Sequence, residues 1–252
     1  GTPMLLSKKQ IAKIMNTLLE VFPNLHATTR EISIEATPES IEYDKVRFLK
    51  DVGFNRISVG IQTLDDREIT SVKRHNSLPI SLMAIETIKT VGIDNLCIDL
   101  MYGLPGQSMK TWEKSLTTIM QYIPETIELY KTVSIPKTKL FRSGQHLDRT
   151  DWQFKYDAYL LGKNMLEQYD YHQESHVRFI QSGKGFYLQQ SGVFNDQSLI
   201  GFGVGARSYG ENMHTRNVYN SEKGKTALGQ YQEKVFSGKS PIQSGVLLTN
   251  HE

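Results

Sequence analysis

Apolar and polar residues repeat along this chain in two alternating periods. Ile11, Ile14, Met15, Leu18, Leu19 and Phe22 fall at helical spacing. Ser7 with Gln10 gives a capping-box start for that helix, and Pro23 ends it. A period-two run at 31–36 predicts a strand. Thr37-Pro38 then reads as N-cap and first residue of a helix carrying Val46, Leu49 and Val52 and closed by Gly53. The same alternation predicts a strand at 56–61, a polar loop through Arg74 and His75, and a helix from about Ser81 to Val91 that stops at Gly92. A strand at 96–101, a Gly-Leu-Pro-Gly loop, a helix on Trp112, Leu116, Ile119, Met120 and Ile123, and a strand at 127–134 complete the series.

Each apolar run ends on a group able to grip a polar ligand: Glu35, Gln62, Asp99. They lie 27 and 37 residues apart, near the span of one strand and one crossover helix. Parallel strands joined by right-handed crossovers are therefore expected. Polar-tipped strand ends in series are how a parallel β/α barrel looks when its ligand sits at the carboxyl ends of the strands. Four strands, with the end of a fifth at Gly1, cannot close an eight-stranded barrel. The fold class expected is α/β: a partial parallel (β/α) barrel over residues 1–145, its first strand missing, and a smaller α+β region over 146–252. Past Pro136 the pattern changes. A helix is expected at 152–168, followed by a Gly-, Ser-, Gln- and Tyr-rich stretch with β-like runs at 176–180 and 186–190.

Bulk properties narrow the picture only a little. Of 252 residues, 38% are hydrophobic and 22% charged, ordinary for a globular protein. A net charge of +2 points neither toward nor away from a polyanionic partner, and no nucleic-acid partner is expected. No apolar run approaches the roughly 18 residues of a membrane helix. Cys97 is the single cysteine, so no internal disulfide is possible and a reducing, cytoplasmic setting is the default. The chain opens on Gly1-Thr2-Pro3 without an initiator Met and stops at His251-Glu252; it reads as an interior fragment.

Gly1-Thr2-Pro3, the segments 31–38 and 55–62, Arg74-His75, 98–107, Gly201 to Tyr209 and Ser244 to Thr249 together resemble the radical S-adenosylmethionine superfamily. Within it, the chain is most similar to the oxygen-independent coproporphyrinogen III oxidase-like family. The resemblance implies one bound S-adenosylmethionine, a second beside it, and a [4Fe–4S] cluster on a Cys-x3-Cys-x2-Cys loop. That loop would lie upstream of Gly1, and Cys97, in mid-strand, cannot replace it. No metal ligand is expected in this chain, which alone should generate no radical.

By the same resemblance Gly1, with Thr2 beside it, ends the loop that meets the methionine ammonium, where a missing Cβ permits close approach. Glu35 would face that ammonium and Arg74 the methionine carboxylate. Gln62 and Asp99 would bond the ribose hydroxyls, and Met101 and Val133 would line the adenine. Gln189 and Arg207 fall at the second cofactor's position. Leu188 and Arg207 depart from the oxidase pattern there. Plain alternatives stand beside each: a strand-to-helix turn for Gly1, a salt bridge for Glu35, a solvated charge for Arg74, loop capping for Gln62 and Asp99, core for Met101 and Val133. His172 and His176, four apart, could hold a metal only from a helix, and a loop or strand is expected there.

The intact protein is expected to cleave S-adenosylmethionine reductively to a 5′-deoxyadenosyl radical, fed by a donor such as flavodoxin or ferredoxin. Its substrate would be a porphyrinogen or a natural-product scaffold. Oxidative decarboxylation, methyl transfer and a non-catalytic haem-carrier role all fit, with the Gly-Ala-Arg-Ser-Tyr run closer to the methyltransferase type. An iron-free aldolase-like barrel would need a Schiff-base lysine, and Lys131 is the one lysine inside the four strands.

Overall fold

The computed structural model describes residues 2–133, 152–195, 197–220 and 224–248. They form two compact units, residues 1–186 and 187–252.

The first unit opens with a short 3-10 turn, Pro3–Leu5, and helix α1 (Lys8–Val21), whose Ser7–Gln10 capping box is formed as expected. A single turn α2 (Leu25–Thr28) leads to β1 (Ser33–Ala36). After β1 the chain departs from the expected continuous helix. Thr37 and Ser40 cap one another across a 3-10 turn at Pro38–Ser40, and α3 (Tyr43–Asp51) starts afresh behind Glu42. Strand β2 (Arg56–Gln62) is followed by α4 (Asp66–Ser71), which lies in the segment expected to be loop, and by α5 (Leu78–Val91). Gly92 closes α5 at φ 77°, a left-handed cap that glycine adopts without a Cβ clash. Then come β3 (Asn95–Tyr102), α6 (Met109–Met120) and β4 (Thr126–Lys131).

Strands β1 to β4 pair in parallel, in sequence order, as the spacing requires. Helix α7 (Trp152–Gln168) follows, and the antiparallel pair β5 (Tyr171–Gln173) and β6 (Arg178–Gln181) extends the same sheet, giving the order β1-β2-β3-β4-β6-β5. The first compact unit runs to Phe186. The expected boundary itself falls in 134–151, outside the described residues, as does Gly1.

Register and the period-two pleat divide the sheet into two faces. One carries Ile34, Ala36, Ile57, Val59, Ile61, Leu96, Ile98, Leu100, Ile127 and Leu129, all buried. These pack into one core with Val46 and Leu49 of α3, Ile85 and Ile88 of α5, and Trp112, Leu116 and Ile119 of α6. Helix α7 lies close on this layer. A Cβ on its Gly162 would stand 2.8 Å from Leu129 Cδ1, and Trp112 Nε1 donates to Ala158 O at 2.8 Å. The opposite face is polar and carries the candidate site.

The second unit holds α8 (Leu188–Phe194), a three-stranded antiparallel sheet of β7 (Arg207–Tyr209), β8 (Met213–Asn217) and β9 (Ile242–Leu247), and α9 (Ala227–Phe236). The β-like run expected at 186–190 is the start of helix α8.

Candidate functional site

The polar face is laid out in rows by the parallel register. Ser33, Arg56 and Asn95 align at the amino-terminal side. Glu35, Ser58, Cys97 and Thr126 form the next row, then Gly60, Asp99 and Glu128. Met101 and Tyr130 pair at the carboxyl-terminal lip.

Asp99 stands where the upper rows meet. Its Oδ1 accepts from Ser58 Oγ at 3.1 Å and faces Cys97 Sγ at 3.7 Å. Burial and the neighbouring carboxylate of Glu128 push its pKa up to about 7, with a smaller push from Glu35; the Ser58 hydrogen bond and Arg56 pull the other way. The same burial raises the Cys97 thiol well above its ordinary value, so the thiol stays protonated and unreactive.

Gln62 ends β2 at φ 72°, just past a register shift between Gly60 and Gln62. A left-handed conformation is costly for a residue with a Cβ. Here a bulge re-aims a buried side chain at the strand's end. Gly60 leaves room for it: a Cβ there would lie 2.8 Å from Gln62 Nε2, 3.8 Å from Arg74 Nη1 and 3.9 Å from Ala36 O. Arg74 follows α4 and donates from Nη1 to Gly60 O at 2.9 Å. Burial pulls the Arg74 guanidinium below its usual value, opposed by the charges of Glu39 and Asp99. It stays cationic at any ordinary pH.

Beside Asp99, on the neighbouring strand, a buried ionic cluster is centred on Glu128. Glu128 Oε1 accepts from Arg178 Nη2 at 2.6 Å and Nε at 2.8 Å, with Arg56 Nη2 at 3.9 Å, and Arg178 Nη1 donates to Glu174 at 3.1 Å. Tyr130 Oη donates to the other Glu128 oxygen, and burial together with that carboxylate raises the Tyr130 phenol.

The structure places Glu35 and Asp99 on the polar face of the parallel strands, where the charges of Glu35 and Arg74 are both felt at Asp99, and it brings Gln62 Nε2 and Arg74 Nη1 to Gly60 of the same face. Met101 is half-buried beyond Asp99 on the same face. Thr2 is half-buried ahead of the turn that packs on β1. Val133 is exposed, two residues past β4. Gln189 and Arg207 belong to the second unit. Gln189 is exposed on α8 and accepts from Tyr187 Oη at 3.3 Å, and Arg207 is exposed on β7. His172 lies on β5 and His176 in the bend before β6, not on a helix. Sequence reasoning passed over Gly60, Glu128, Arg178 and Glu68. A charged residue inside the apolar run of β4 was the visible signal for Glu128.

A polar cradle of one anion, one amide, one guanidinium and one high-pKa carboxyl suits a zwitterionic ligand that also carries hydroxyls. Comparison with known proteins points the same way. Residues 1–119 match the model of the Radical SAM superfamily. The chain is 29% identical over 220 residues to the haem chaperone HemW of Bacillus subtilis (strain 168), covering 86% of this chain and 58% of that protein. It is 24% identical over 266 residues to the oxygen-independent coproporphyrinogen III oxidase of Helicobacter pylori (strain J99), covering 100% of this chain and 56% of the relative. Among solved structures, coproporphyrinogen III oxidase (HemN) from Escherichia coli, described as a Radical SAM enzyme, aligns with TM-score 0.80 at 26% identity over 99% of this chain and 58% of that one. The chain spans little more than half the length of these relatives. The family resemblance and the fold class read from the sequence are borne out. None of the three carries methyl transfer in its name, and that reading is not taken further.

Proposed function

We propose that this chain, whose first 119 residues match the Radical SAM superfamily, binds S-adenosylmethionine at the carboxyl-terminal side of its parallel strands. The supporting observation is the meeting of Glu35, Gln62, Arg74 and Asp99 on one face. In this reading Glu35 takes the ligand's ammonium and Arg74 its carboxylate, while Gln62 and Asp99 take the ribose hydroxyls. Met101 flanks the adenine. Gly60 keeps the site open, and the Gln62 bulge orients its amide before the ligand arrives, so less ordering is left for binding. Given one electron from a reductant outside this chain, bound S-adenosylmethionine would be cleaved to methionine and a 5′-deoxyadenosyl radical.

The residues do not fit an iron–sulfur cluster. Such a cluster needs several thiolates, and the one cysteine is a buried, protonated thiol inside β3. For the whole protein the reading is a coproporphyrinogen III oxidase-like oxidoreductase acting on a porphyrinogen. The HemW similarity favours a second reading, a haem carrier without turnover.

Calorimetric titration tests the shared part. The chain should bind S-adenosylmethionine, and Arg74→Ala should weaken binding by about 1.5–3 kcal/mol, the scale of a charge-assisted hydrogen bond. Unchanged affinity in the variant would remove Arg74 from the site. Spectral titration with haem, set beside a porphyrinogen product assay, separates the two whole-protein readings.

A further inference from the structure

Glu68 on α4 takes no part in the site as drawn, yet it is 2% exposed. Its Oε2 accepts from Thr63 Oγ1 at 2.6 Å and from Gln107 Nε2 at 3.0 Å, and its Oε1 accepts from Thr111 Oγ1. All three partners are neutral. A carboxylate buried among neutral donors costs more than an amide would, so what the position uses is the capacity of two oxygens to accept several bonds.

The partners come from three segments. Thr63 directly follows Gln62, and its hydroxyl also accepts from Asp65 N at 3.2 Å. Gln107 ends the loop after β3, where its Nε2 also donates to Met101 O at 3.2 Å and its Oε1 accepts from Gly103 N at 2.7 Å. Thr111 begins α6. Helix α4 itself runs into Arg74, whose N–H donates to Ile69 O at 3.2 Å.

We propose that Glu68 is a positioning residue for the ligand at the strand ends. Its carboxylate ties the segment bearing Gln62 and Arg74 to the loop bearing Met101, through the relay Thr63–Glu68–Gln107–Met101 carbonyl, and so sets the spacing between the two halves of the cradle. The role rests on the reading that this site takes S-adenosylmethionine.

The experiment is calorimetric titration of the chain and its variants with S-adenosylmethionine, beside amide exchange at Gly103 and Leu104. Glu68→Gln turns one acceptor into a donor facing donors. It should weaken binding about tenfold, the scale of one lost charge-assisted hydrogen bond, and speed exchange at both amides. Thr111→Val removes the bond to Oε1 and leaves the relay whole; it should keep near-wild-type affinity even where it lowers the melting temperature, which separates positioning from a general loss of stability. Should E68Q fail to fold, Gln107→Leu cuts the relay from the other side and should show the same loss. Wild-type affinity in E68Q, or in Q107L, overturns the role while leaving the site intact. A wild-type chain that does not bind S-adenosylmethionine removes the ligand reading, and this role with it.

Discussion

Replacing Asp99 with Asn isolates the electrostatic cost built into the polar face. In the folded chain burial and Glu128 raise the Asp99 pKa from 3.8 to about 7. The native state therefore keeps a proton on Asp99 through a pH range in which the unfolded chain has released it. Stability falls with rising pH wherever the native state binds more protons. Asp99's contribution is full below its unfolded value, is lost as pH climbs toward 7, and is flat above that. Three pH units at 1.36 kcal/mol each set an upper bound of about 4 kcal/mol. Relaxation and water penetration take back part of that bound, so a loss of about 2–4 kcal/mol between pH 4 and pH 8 is expected for the ligand-free chain. Asn cannot ionise, so D99N should flatten this slope and be the more stable of the two at pH 8. Urea unfolding followed by circular dichroism at steps from pH 4.5 to 8.5 measures both. Parallel pH profiles for wild type and D99N would refute the reasoning, because they would mean that the burial and the Glu128 charge do not act on Asp99.

Gln62→Gly relieves a positive φ. It should raise thermal stability by up to about 1 kcal/mol while lowering affinity for S-adenosylmethionine, read by melting and by titration on the same samples. Gly60→Ala should leave the melting temperature nearly unchanged, since the new Cβ meets the movable end of Gln62 at 2.8 Å rather than backbone. The displaced amide should nevertheless reduce ligand affinity about tenfold, on the scale of a lost buried hydrogen bond.

Much of this was legible because one period carried both fold and site. Glu35, Gln62 and Asp99 interrupt or end apolar runs, and the strand pattern alone put them at strand tips. Arg74 was not visible that way; it stands in a polar stretch, and only the family resemblance singled it out. The same stretch hid α4. Asp66-Arg67-Glu68-Ile69-Thr70-Ser71 offers a single apolar position, and the helix forms because Asp65 caps it, accepting from the amides of Arg67 at 3.0 Å and Glu68 at 3.2 Å. Thr37-Pro38 misled in the other direction. The capping pair closed on Ser40 within one turn, and the helix had to restart at Tyr43. At 186–190 a few residues of mixed polarity could not separate strand from helix, and the backbone hydrogen bond from Ser191 N to Tyr187 O decided for helix. Nor does any local pattern announce what joins β6 to the sheet, which is pairing across fifty residues: Arg178 to Glu128, backbone and side chain alike.

That pairing bears on how the site works. Glu128 places a carboxylate beside Asp99 in the register, on a face where an unpaired charge would cost several kcal/mol. Arg178, 2% exposed, and Arg56, 3% exposed, supply the compensating charge. With Arg178 gone, Glu128 would keep only Arg56 at 3.9 Å as a charged partner, and the push that it exerts on Asp99 would change with it. The electrostatics of the cradle are thus not set by the parallel strands alone. A residue well beyond the matched 1–119 segment, on an antiparallel strand, fixes the charge of the group next to Asp99. The apolar layer on the other side of the sheet makes this tolerable. It carries the packing that holds the strands in register, so the polar face is free to be arranged for a ligand at some expense to its own stability.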